Sequence, residues 1–107
     1  QPEFLNLNNQ DNDSGSTALH FAVHSGNLAA ATVLVRAGAN PDVTNKAGLT
    51  PLHEAVMRGY TPIVALLLEN EADLNLRDGS GKTALQYAQE HKRKEIAGLL
   101  RQRGAKE

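Results

Sequence analysis

The chain has 107 residues, of which 40% are hydrophobic, 21% charged and only 4% aromatic. That suits one small globular domain whose core is built from Leu, Ala, Val and Ile. The net charge of -1 gives no overall reason to expect nucleic acid, and the absence of cysteine excludes disulfides, zinc–cysteine sites and thiol catalysis.

A cysteine-free chain fits an intracellular protein, cytoplasmic or nuclear. Its longest apolar run, residues 63–68, is far shorter than the roughly 20 residues that cross a bilayer, so no membrane partner is expected. The charge is unevenly spread. Residues 1–80 carry four Lys/Arg against nine Asp/Glu, whereas residues 81–107 carry seven against three. The basic end could meet an acidic partner, but a solvated face explains it better.

In chain order, residues 1–11 come first. The chain begins at Gln1 and is expected to be a fragment, with Pro2-Glu3-Phe4 as a candidate cloning junction. Within this segment Leu5-Asn6-Leu7 resembles Leu74-Asn75-Leu76 further on, as the end of a preceding unit would. Three copies of one unit follow, at residues 12–44, 45–77 and 78–107. Gly15, Gly48 and Gly81 lie 33 residues apart. The same step links Thr17, Thr50 and Thr83, then Leu19, Leu52 and Leu85, then Ala22, Ala55 and Ala88. It also links Leu34, Leu67 and Leu100, and Ala39, Ala72 and Ala105. A fixed period of this length marks a repeat architecture.

Each copy predicts two short helices. In the middle copy Thr50 is a suitable N-cap and Pro51 a suitable first helical residue. Leu52, Ala55 and Val56 then form one apolar stripe, and Gly59 ends the helix. Thr61 and Pro62 repeat the cap-plus-proline device before Ile63, Val64, Leu66, Leu67 and Leu68. Such short helices are marginal alone in water and must stack on neighbours. The third copy, residues 78–107, predicts the same pair.

The strings GSTALHFAVHSGN, GLTPLHEAVMRGY and GKTALQYAQEHKR resemble the ankyrin-repeat consensus around its Thr-Pro-Leu-His element. Ala37-Gly38-Ala39-Asn40 and Arg103-Gly104-Ala105 resemble its closing segment. The resemblance covers about residues 12–107 and implies an all-α solenoid of helix–turn–helix units joined by β-turn fingers. It also implies that His20 and His53 bond within their own repeat and to the next one. The third copy has Gln86 at that position, and Gln89, Lys92, Arg93 and Arg101 replace apolar or small residues. Solenoid ends need a polar outer face, so repeat three is expected to be a C-terminal cap. Repeat one shows no such conversion, which suggests repeats upstream. Glu71 stands where Gly38 and Gly104 close other helices, a position expected to be left-handed at a cost of about 1 kcal/mol.

Several motifs look like chemistry. Gly79-Ser80-Gly81-Lys82-Thr83 resembles the end of a phosphate-binding loop, but Leu76 stands where the first Gly is needed and no βαβ unit surrounds it. His20 and His24 are spaced like metal-binding pairs on a helix, yet two ligands do not close a site. His53-Glu54 begins a zincin motif whose second His is replaced by Met57. No nucleophile, base and acid set stands out, so no catalysis, metal or cofactor is expected. The run His91-Lys92-Arg93-Lys94 lacks the aromatics and length of a nucleic-acid patch. Leu67 followed after five residues by Asp73-Leu74-Asn75 resembles the pattern of an asparaginyl hydroxylase that acts on ankyrin repeats, with Asn75 as its target. Packing of consensus positions accounts for the same residues.

By resemblance, the function is binding of another protein through a concave surface of fingers and first helices. Positions that differ between copies would carry it: Lys46, Leu49 and Lys82 on the fingers, and His24, Ser25, Met57, Arg58, Glu90 and His91 at the ends of the first helices. Lys46, Leu49, Met57 and Arg58 are expected to cluster as an apolar anchor with a charged rim. The fragment is expected to be a monomer. The rival classes are an architectural end of a longer solenoid and regulation of an enzyme domain in the same polypeptide.

Overall fold

Each first helix starts at a threonine. Thr17, Thr50 and Thr83 are extended, their hydroxyls accept the N–H groups of His20, His53 and Gln86, and those three side chains reach back to the threonine N–H. This reciprocal capping satisfies two otherwise orphaned donors per helix. The computed structural model describes residues 7–106, so the proposed likeness of Leu5-Asn6 to the end of a preceding unit lies outside the described residues. Six α-helices result: α1 (Ala18–His24), α2 (Leu28–Arg36), α3 (Pro51–Arg58), α4 (Thr61–Glu69), α5 (Ala84–Glu90) and α6 (Lys94–Gln102). No strand occurs among the described residues. The second helix of the middle repeat begins one residue earlier than its Thr-Pro pair predicts. Tyr60 takes the N-cap position without a side-chain cap bond, and Thr61 is already helical.

Helices pair within each repeat and stack between repeats: α1 on α3 on α5, and α2 on α4 on α6. The result is elongated, 42 × 25 × 22 Å, as expected of a row of units that touch only neighbours. The core is the set of repeating columns. Leu19, Leu52 and Leu85 are buried, as are Ala22, Ala55 and Ala88. Full burial of one such leucine contributes about 1.5–3 kcal/mol. Leu67 and Leu100 are sealed, whereas Leu34 of the first repeat is only partly covered. The same contrast places Leu66 and Leu99 against the core but leaves Val33 exposed.

Helix ends are closed by backbone turns. Ala39, Ala72 and Ala105 N–H groups donate to the carbonyls of Leu34, Leu67 and Leu100 at 3.0, 3.1 and 2.9 Å. The residue before each alanine is left-handed, which glycine tolerates and Glu71, at φ 64°, does not without strain. The expectation for Glu71 is met. Lys92, at φ 57°, stands where Gly26 and Gly59 close the other first helices and carries the same burden.

Candidate partner-binding face

Three β-turn fingers precede the first helices. Asn45 N–H donates to Leu49 O at 2.9 Å and Asp78 N–H to Lys82 O at 2.8 Å, while Asp11 N–H reaches Ser16 O at 2.8 Å. The first finger therefore starts at Asp11, one place before the position that corresponds to Asn45, and its loop holds one extra residue. Side-chain oxygens brace each turn. Asn45 accepts the N–H groups of Ala47 and Leu49, and Asp78 those of Ser80 and Lys82. Neighbouring fingers are joined by Lys46 N–H to Ser14 O at 2.9 Å and by Gly79 N–H to Ala47 O at 3.0 Å. A Cβ on Gly48 would stand 2.4 Å from Gly79 N, and one on Gly79 only 2.5 Å from Ala47 O. The fingers are close because both residues are glycine.

Histidines tie helices to fingers. His20 Nδ1 accepts the Thr17 N–H, so Nε2 carries the proton and donates to Leu49 O at 2.9 Å. His53 repeats this with Thr50 and Lys82 O at 3.1 Å. Burial holds both imidazoles below their usual pKa, opposed by those carbonyl bonds. The bonding implied by resemblance is present in both repeats. Gln86 keeps the inner half of the pattern, accepting the Thr83 N–H at 2.8 Å.

The residues proposed for binding fall on fingers and first helices. Arg58 and His24 meet around Glu54. Glu54 lies 2.8 Å from His24 Nδ1 and 3.0 Å from Arg58 Nε, and Arg58 also comes within 2.9 Å of His24. At the third repeat Lys82 pairs with Glu90 at 2.8 Å and lies 5.5 Å from the centre of the Tyr87 ring. The His91 ring is tilted against the same tyrosine at 6.3 Å. Glu90 holds the Lys82 ammonium above its usual pKa. Burial pushes the Asp78 carboxyl up, but bonds from the Tyr87 hydroxyl and from Lys82 and Ser80 outweigh it and bring the pKa to about 2.

The other proposed residues are bonded elsewhere. Lys46 is exposed and its ammonium donates to Asn12 O on the first finger. Leu49 and Met57 are half-buried, and their carbonyls accept from His20 and Arg93. Ser25 is exposed, with its hydroxyl returned to Phe21 O of its own helix. No hydrogen bond or ion pair among the described residues joins Lys46, Leu49 and Met57 to Arg58. Both cations reach back to the first repeat, Lys46 along the fingers and Arg58 along the helices.

Sequence reasoning missed one column of this face: Phe21, Glu54 and Tyr87. Phe21 is 52% exposed, Glu54 anchors the first cluster and Tyr87 the second. The signal was present, since three unlike residues occupy one position between columns that repeat. Asn75 is exposed, and its side-chain oxygen accepts the Lys106 N–H at 3.2 Å. Asp42 treats Asp73 N–H likewise at 2.8 Å, and Asn8 does so for Asn40 at 2.7 Å. This rung between loops gives Asn75 a structural part that an Asp plays equally at position 42. No described helix is long and apolar enough to cross a membrane.

Comparison with known families supplies the relationship. Residues 28–107 match the family model described as ankyrin repeats (3 copies). Residues 3–35 match the one described as ankyrin repeats (many copies). No curated protein matches the chain.

Proposed function

This chain belongs to the ankyrin-repeat family, whose members generally serve as protein–protein interaction modules, and on that premise we propose that it binds a partner protein through the face made by its fingers and first helices. One observation carries the proposal. Residues that repeat are consumed by folding, as with Thr17, Leu19, His20 and Ala22, all buried. Residues that differ between repeats, such as Phe21, His24, Lys46, Arg58 and Glu90, are exposed on the fingers and first helices. An exposed aromatic together with exposed charged side chains is the composition of a contact surface, apolar at its anchor and charged at its rim.

Lys46, Leu49, Met57, Arg58 and Lys82 are proposed as contacts, with His24, Ser25, Glu90 and His91 at the helix ends. The chain and a Lys46→Glu, Leu49→Ala, Met57→Ala, Arg58→Glu variant would be immobilised and challenged with native lysate, after circular dichroism has shown equal helicity and equal melts. A protein retained by the chain and lost by the variant supports the proposal. Equal retention by both refutes this placement of the site.

A further inference from the structure

Two Ser or Thr residues of the chain have Arg or Lys three places before them: Thr61, after Arg58, and Ser80, after Arg77. An arginine at that place is what an arginine-directed protein kinase reads, by pairing its guanidinium with carboxylates beside the active site. Thr61 is half-buried, lies within α4 and is followed by Pro62. A helical residue does not offer a kinase the extended backbone that it grips.

Ser80 is placed differently. It is exposed at the tip of the third finger, between exposed Gly79 and Gly81, and a glycine on each side lets the tip open locally. Its hydroxyl donates to Asp78 Oδ1 at 3.0 Å. Arg77 is exposed and folds over the same tip, donating from Nη1 to Gly81 O at 2.9 Å. The exposure of Ser80 does not depend on where the chain ends. Ala47 holds the same place in the middle finger, where the third finger lies against its carbonyl, with Gly79 N–H 3.0 Å from Ala47 O. The Ala47 side chain is exposed nonetheless. Ser14 holds that place in the first finger and is also exposed, but Asp11 stands three residues before it.

We propose that Ser80 is a phosphorylation site for an arginine-directed protein kinase, with Arg77 as the residue read, and that the phosphate detaches Lys82 from Glu90. The Ser80 oxygen attacks the γ-phosphorus of ATP, forming an O–P bond. The bond from that phosphorus to ADP breaks, and the hydroxyl proton passes to the kinase's base. The product carries about −1.5 to −2 charge beside the Asp78 carboxylate, which has also lost the hydroxyl it accepted. Both changes call for a cation. Lys82 lies 2.8 Å from Glu90 through side chains 39% and 48% exposed, and an ion pair of that exposure holds weakly. The phosphate, with more charge and three acceptor oxygens, takes the ammonium. The inference concerns the finger itself and stands or falls without any partner of the proposed binding face.

The test incubates the folded 107-residue chain with ATP and a kinase that selects arginine three residues before its serine, and locates the phosphate by peptide mass spectrometry. Phosphate is expected on Ser80. Ser80→Ala should abolish the transfer and Arg77→Gln should slow it at least about tenfold, with circular dichroism melts of both variants matching the parent chain. In the phosphorylated chain the NMR signal of the Glu90 carboxyl should move to its position in Lys82→Gln, where that carboxyl has lost its partner. Phosphate on Thr61 or Ser14 in place of Ser80, undiminished transfer to Arg77→Gln, or no transfer to Ser80 would overturn the site. A Glu90 signal that phosphorylation leaves in place would overturn the release of Lys82.

Discussion

Replacing Glu71 by glycine is expected to stabilise the fold, and the size of the gain follows from the backbone. At φ 64° an L residue brings its Cβ against its own carbonyl at a cost of about 1–2 kcal/mol. Glycine removes that cost but gives the unfolded chain more freedom, a loss of about 0.4–1 kcal/mol. The side chain of Glu71 is exposed, and its negative charge sits at the negative end of α4, which adds a few tenths of a kcal/mol to the gain. The net is about 1 kcal/mol, or roughly 4 °C or more in Tm for a domain of this size. Lys92→Gly relieves the same strain at φ 57° but discards a favourable cation at the end of α5, so its gain should be smaller. Thermal melts and urea titrations of both single variants and the double would measure this, with Glu71→Ala as control. Alanine keeps the Cβ and removes the charge, so it should recover only the electrostatic part. Equal gains for alanine and glycine, or no gain for glycine, would refute the strain argument.

Three further outcomes can be measured. His20 and His53 are held below 6.5 by burial, so the unfolded chain binds more protons and stability should fall as pH drops below about 6.5. Urea titrations at successive pH values should show that slope, and it should be shallower in His53→Gln, which copies Gln86. Tyr87→Phe removes the strongest bond that lowers the Asp78 pKa, so NMR titration should find that carboxyl above its present value of about 2. Gly79→Ala forces a Cβ to 2.5 Å from Ala47 O and should cost about 1–3 kcal/mol, with the amide of Gly79 losing protection from hydrogen exchange.

The fold was legible because three copies of one unit expose which positions packing constrains. Thr17, Leu19, His20 and Ala22 read as structural by recurrence, and each is buried. What recurrence hid is equally specific. The extra residue in the first finger moves its brace from Asn12 to Asp11 and its rung to Asn8, so copies compared at a strict period of 33 misalign there. Lys92 read as a polar surface change, although its place in the period already demanded a left-handed backbone. The proposed binding face was only partly legible. A side chain such as Glu54 acquires its meaning from His24, 30 residues away, and spacing within a single repeat does not reveal a partner in the next.

The division of labour has an energetic basis. Leu52 and Leu85 are 2% and 1% exposed, and truncating such a leucine to alanine costs about 2–5 kcal/mol, a large part of the stability of a small domain. The ion pairs of the proposed binding face differ in kind. His24 and Arg58 side chains are 60% and 40% exposed where they meet Glu54, and pairs of that exposure contribute about 0–1 kcal/mol. They can therefore be broken at little cost to the stack. Between them Glu54, only 13% exposed, holds the His24 and Arg58 side chains in place. On the proposed reading, substitutions at positions 21, 24, 54, 58 and 87 alter what the module binds, while the buried columns beneath hold the fold.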